Sequence, residues 1–88
     1  MGSTAEIIAK LSSAVERLEQ AQSTAAKAAD EADSATGIVN DALSGSTPGQ
    51  LIGVIKEAAE NIRAAGRSTD RATSQINETI ARVKSLGN

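Results

Sequence analysis

The chain has 88 residues, a formal charge of -2 from 9 basic and 11 acidic side chains, and no His, Cys, Phe, Trp or Tyr. One small domain is the most this length builds. The missing residue types exclude ordinary zinc and haem sites, disulfides, a thiol nucleophile, a Ser-His triad and aromatic platforms for single-stranded nucleic acid, and the balanced charge offers no bulk attraction to nucleic acid or a membrane surface.

The N-terminal stretch MGSTAEIIAKL has neither a basic start nor a long apolar run, so no Sec signal peptide is expected. No apolar run approaches the roughly 18 residues of a membrane span. The absence of cysteine fits a reducing compartment, and the expected location is cytoplasmic or, by a non-Sec route, exported. Ser3 and Glu6 have the spacing of a capping box, which opens a helix over about residues 4–44. A mostly apolar series recurs along it at alternating spacings of three and four: Ile8, Leu11, Val15, Leu18, Gln22, Ala25, Ala29, Ala32, Thr36, Val39 and Leu43. That period predicts a left-handed coiled coil. A second seven-residue series runs beside it through Ile7, Ala14, Ala21, Ala28, Ala35 and Ala42.

Ser44-Gly45-Ser46-Thr47-Pro48-Gly49 is the densest cluster of helix breakers. Gly45 suits a position just past a helix end, Thr47 an N-cap, Pro48 the first helical position and Gln50 the third. A turn over about 45–47 therefore leads into a second helix over about 48–86, closed by Gly87. A turn this short makes the pair antiparallel.

The second helix carries a series through Leu51, Ile55, Ala58, Ile62, Ala65, Thr69, Ala72, Ile76, Thr79, Val83 and Leu86. If Leu43 faces Leu51, then Val39 faces Ile55, Ala32 faces Ile62, Leu18 faces Ile76, Leu11 faces Val83 and Ile8 faces Leu86. Gln22, Ala25 and Ala29 then approach Ala72, Thr69 and Ala65, a thin and weak waist. The expected hairpin core is Ile8, Leu11, Val15, Leu18, Val39, Leu43, Leu51, Ile55, Ile62, Ile76, Val83 and Leu86. The polar residues Gln22 and Thr69 at core positions set its register. A neighbouring series, Ile52, Ala59, Gly66, Thr73, Ile80 and Gly87, runs beside this one. Together Ile7, Ala14, Ala21, Ala28, Ala35, Ala42, Ile52, Ala59, Gly66 and Ile80 form the expected assembly face, wider than a two-helix seam needs.

The fold class expected from these patterns is all-α: an antiparallel two-helix coiled-coil hairpin in a single domain spanning 1–88, pairing into a four-helix bundle or a larger helical assembly. The core has little else to draw on. Its 17 Ile, Leu and Val residues are matched by 17 alanines, so a partner chain is a natural source of additional burial. The first helix carries three basic and seven acidic residues, the second six basic and four acidic; opposite signs favour their pairing.

No catalytic residue, cofactor site or metal site stands out. Asp30, Glu31 and Asp33 sit on a straight helix, not in the loop of six or more oxygens that Ca2+ takes. Arg63, Arg67 and Arg71 make one exposed stripe, a candidate for anion contact or for charge pairing between hairpins. Gly37, Gly53 and Gly66 fall inside the helices, where close approach or a local kink would account for them. The expected partner is a second copy, with another helical protein as the alternative. No nucleic acid, no membrane span and no enzymatic activity are expected.

A chain near one hundred residues with two long helices and a glycine-bearing central turn resembles the small Trp-Xaa-Gly helical hairpins. That resemblance implies dimerisation into a four-helix bundle and export by type VII secretion. It is architectural: Ser46-Thr47-Pro48-Gly49 stands where that family has its Trp, and there is no Tyr for its C-terminal export signal. The stretch from Gln22 to Thr36 is also similar in composition to chemoreceptor signalling hairpins and phasins. The expected role is that of a self-associating structural or scaffold component, with a secreted or adaptor protein as the alternative.

Overall fold

The computed structural model describes residues 3–43 and 49–87. They form two helices, α1 (Thr4–Ala42) and α2 (Gly49–Leu86), packed along their whole length in a rod of 67 × 16 × 14 Å. The architecture is the all-α helical hairpin that the sequence predicts. The expected turn residues 45–47, with Gly45, Thr47 and Pro48, lie outside the described residues.

The start of α1 follows from local chemistry. Ser3 is extended (φ -75°, ψ 164°), and its Oγ accepts a hydrogen bond of 3.1 Å from the Glu6 backbone N–H. One of the amides left without an intrahelical partner is thereby satisfied, and Glu6 places a negative charge at the positive end of the helix. At the other end the Leu43 N–H reaches the Val39 carbonyl at 3.0 Å, and Leu43 leaves helical geometry at φ -107°, ψ 29°. Helix α2 has Lys84 in its last turn, where a cation suits the negative end, and Gly87 closes it by donating to the Val83 carbonyl at 2.9 Å.

Two glycines reveal the pairing. A Cβ on Gly66 would lie 3.8 Å from Ala25 Cβ, and one on Gly87 would lie 2.7 Å from Thr4 Cγ2. Gly66 therefore sits across from Ala25, and Gly87 across from Thr4, which fixes the two helices as antiparallel. Continued along the rod, this register sets Ile8 across from Val83, Leu11 from Ile80, Leu18 from Thr73, Ala32 from Ala59 and Val39 from Ile52. Burial follows the same pattern. Ala29 and Ala59 are each 1% exposed, Thr36 and Thr73 are buried, and Ile8, Leu11, Val15, Leu18, Ile52, Ile55, Ile62, Ile76, Ile80 and Val83 are half-buried.

This differs from the sequence expectation on α2. There the seam runs through Ile52, Ala59, Gly66, Thr73 and Ile80 together with Ile55, Ile62, Thr69, Ile76 and Val83. The series Leu51, Ala58, Ala65, Ala72, Thr79 and Leu86 lies outside it: Leu51 is 42% and Leu86 86% exposed. The pairing is displaced by three residues, Ala25 meeting Gly66 instead of Thr69. The physical reason is close approach. Ala25 on Gly66 and Ala32 on Ala59 let the helices come together, and Ile80 and Ile52 then fill the space against Leu11 and Val39 on either side.

The seam threonines do not tie the helices together. Thr36 Oγ1 donates to the Ala32 carbonyl at 3.2 Å, Thr73 to Thr69 at 3.1 Å and Thr69 to Ala65 at 2.9 Å, each within its own helix. A hydroxyl satisfied four residues back can be buried without a partner across the seam. Gln22 and Thr69, expected to set the register, lie across from each other in it, but no hydrogen bond joins them among the described residues.

Candidate association surface

The seam divides the rod into two long flanks. In an antiparallel pair, the residues just before the opening position of each seven-residue repeat share one side of the seam, and those just after its closing position share the other. On α1 the first group is Ile7, Ala14, Ala21, Ala28, Ala35 and Ala42; on α2 it is Leu51, Ala58, Ala65, Ala72, Thr79 and Leu86. These twelve residues carry no charge.

The second group contains Glu19, Ala26 and Asp33 from α1 and Lys56, Arg63, Asp70 and Lys84 from α2. Asp33 and Arg63 form an ion pair across the helices, direct confirmation that these two series share a side. Arg63 also reaches Glu60 at 3.4 Å. The hydrogen bond from Arg63 to Asp33, and then the Asp33 charge, raise the Arg63 pKa above its ordinary value. Both side chains are substantially exposed, 36% for Arg63 and 53% for Asp33, so solvent screens the pair. A shallow groove opens beside the small residues at Ala25 and Gly66, with Gln22, Ala26, Arg63 and Asp70 among its walls.

The expected assembly face is thus split by the structure. Its α1 members, from Ile7 to Ala42, lie on the uncharged flank, where Ile7, Ala21 and Ala42 are exposed and Ala14, Ala28 and Ala35 half-buried. Its α2 members Ile52, Ala59, Gly66 and Ile80 face α1 in the seam and are not on offer to another chain. In their place the structure brings Leu51, Ala58, Ala65, Ala72 and Leu86 beside the α1 alanines.

The neighbouring positions, three residues further along each helix, complete this flank. They are Lys10, Arg17, Thr24, Glu31 and Ile38 on α1, and Val54, Asn61, Ser68, Gln75 and Arg82 on α2, all exposed. All five exposed large hydrophobics of the described residues lie here: Ile7 (43%), Ile38 (68%), Leu51 (42%), Val54 (62%) and Leu86 (86%). The sequence reading missed Ile38 and Val54. Their signal was the three-residue spacing from Ala35 and Leu51.

Other candidates stay apart. Among the described residues no group of three or more Asp or Glu side chains converges to hold a metal ion; Asp33 is instead engaged by Arg63. The arginine stripe is divided: Arg63 is paired with acids and Arg71 donates to Ser68 Oγ at 3.1 Å. No described helix is long and apolar enough to cross a membrane.

Fold and surface together define a helical hairpin with one flank richer in charge and one that carries every exposed large hydrophobic of the described residues. The chain belongs to a family of unknown function, DUF6244, whose model matches residues 2–88. Neither a curated protein nor a solved structure matches it.

Proposed function

We propose that this protein is a non-enzymatic, self-associating helical hairpin that serves as a structural or scaffold component. The observation that carries the reading is the gathering of every exposed large hydrophobic of the described residues on one flank. Scattered singly, such residues would need no explanation; gathered along one face they mark an interaction surface. The core supports the same reading. No large side chain is fully buried among the described residues, and the most buried ones are alanines and threonines. Two helices alone cannot enclose Ile, Leu and Val, whereas a second layer of helices can.

Light scattering coupled to size exclusion on the full chain tests this. The expected result at micromolar concentration is a mass of twice 8.9 kDa or a higher multiple. A monomer that stays fully helical over the same range would overturn it.

A further inference from the structure

The apolar flank has a polarity along its length, and that polarity selects an occupant and an orientation. Its charged residues sit at the outer margins: Lys10, Arg17 and Arg82 towards the open end of the hairpin, and Glu31 beyond the middle towards the turn. The exposed Ile38 and Val54 lie at the turn end, level with each other across the seam. A partner must therefore present acid and apolar side chains in the opposite sense along the rod.

We infer that the occupant is a second copy of this chain, laid antiparallel on the apolar flank about a two-fold axis beside Thr24, with α1 on the partner's α1 and α2 on the partner's α2. This rests on the self-association proposed above and adds its geometry. In that arrangement Arg17 meets the partner's Glu31, and by symmetry Glu31 meets the partner's Arg17. Lys10 lies over the partner's Ile38 and Arg82 over the partner's Val54. Their methylene stems cover apolar surface while the charges reach water. Between them Ala21 packs on the partner's Ala28, close enough for backbones to approach.

The parallel alternative, turn end on turn end, sets α1 on the partner's α2. It places Lys10 against the partner's Arg82, leaves Glu31 beside the uncharged Asn61, and forms no opposite-charge pair on this face. The size is also adequate. A face 67 Å long and 16 Å wide removes on the order of 1,000 Å² from each chain when covered, against the roughly 800 Å² per partner of a stable interface.

Charge exchange and cross-linking test the orientation on the full chain. Arg17→Glu sets two like-charge acid pairs in its own dimer, and Glu31→Arg two basic ones. Each is expected to weaken self-association at least about tenfold. Mixed in equal amounts, the two variants present only opposite charges to each other and are expected to recover dimer at the wild-type level. Thr24→Cys, at the two-fold axis, is expected to oxidise to a covalent dimer, because residue 24 lies within disulfide reach of its own copy. Lys27→Cys, on the far face, is not.

A dimeric wild type whose charge variants fail to rescue each other and whose Thr24→Cys form stays uncross-linked would overturn the orientation while leaving self-association standing. Cross-linking of Thr24→Cys to Ser68→Cys, but not to itself, would establish the parallel form instead. A monomeric wild type would remove both proposals. Circular dichroism of each variant verifies that the hairpin is intact.

Discussion

Along one flank of the hairpin Asp33 holds Arg63, and Glu19, Lys56, Asp70 and Lys84 stand in water; along the other, alanines run the length of both helices between Ile7 and Leu86 at the open end and Leu51 near the turn. Both flanks border the same seam, and both draw their residues from the same two helices. What separates them is two residues of phase. Moving from the position before a seam residue to the position after one crosses from an apolar surface to a charged one. A charged flank is stable facing solvent. On the other flank five large hydrophobics remain exposed, and these are the residues that the proposed self-association would cover.

Placing the same charge on each flank is the sharpest way to break the comparison. Ala28→Glu sets an unpaired carboxylate in the middle of the apolar flank, and burying it there costs about 3–5 kcal/mol. The expected outcome is a helical monomer by light scattering at concentrations where the wild type associates. Ala26→Glu, two residues away on the charged flank, is expected to leave the mass unchanged and the stability within about 0.5 kcal/mol of wild type. Equal association of the two variants would erase the distinction between the flanks.

Next in size is the double substitution Ile38→Ser with Val54→Ser. Each removes an aliphatic side chain whose full burial contributes about 1.5–3 kcal/mol. Association is expected to weaken by tenfold or more, read from a dilution series, with little change in the helicity of the hairpin. Smaller again, Gly66→Ala addresses the seam itself. Its Cβ would rest at an ordinary contact distance, 3.8 Å, from Ala25 Cβ, and replacing a mid-helix glycine contributes about 1 kcal/mol. A raised melting temperature with unchanged mass is expected, and a lowered one would mean that the helices approach more closely there. The smallest effect is that of Asp33→Asn. It releases Arg63 from its partner across the seam, and the slight loss in melting temperature should shrink as salt is added.

Much of this was legible from the sequence. The Ser3 cap, two long helices, their antiparallel sense and the α1 seam from Ile8 to Leu43 follow from caps, breakers and a seven-residue period. The helices Thr4–Ala42 and Gly49–Leu86 fall inside the expected spans, whose inner ends at 44 and 48 lie outside the described residues. The face of α2 did not follow. Leu51, Ala58, Ala65, Ala72, Thr79 and Leu86 compete with Ile52, Ala59, Gly66, Thr73 and Ile80 for the same partners, and the two series hold nearly equal hydrophobicity. No aromatic ring or buried charge breaks the tie. In the observed register small residues stand opposite small ones, Gly66 across from Ala25 and, by the same register, Ala59 across from Ala32, pairings that periodicity does not weigh. Once that register is set, the association surface follows, because the rejected α2 series falls on the same flank as the α1 alanines.

The threonine hydroxyls have a mechanical corollary. Each bonds within its own helix, and the Asp33–Arg63 pair is the one polar tie between α1 and α2 among the described residues. Among the described residues, shearing one helix along the other by a seven-residue repeat, about 10.5 Å, therefore ruptures that one exposed pair and no buried hydrogen bond. Resistance to such a load comes from the steps between large and small side chains.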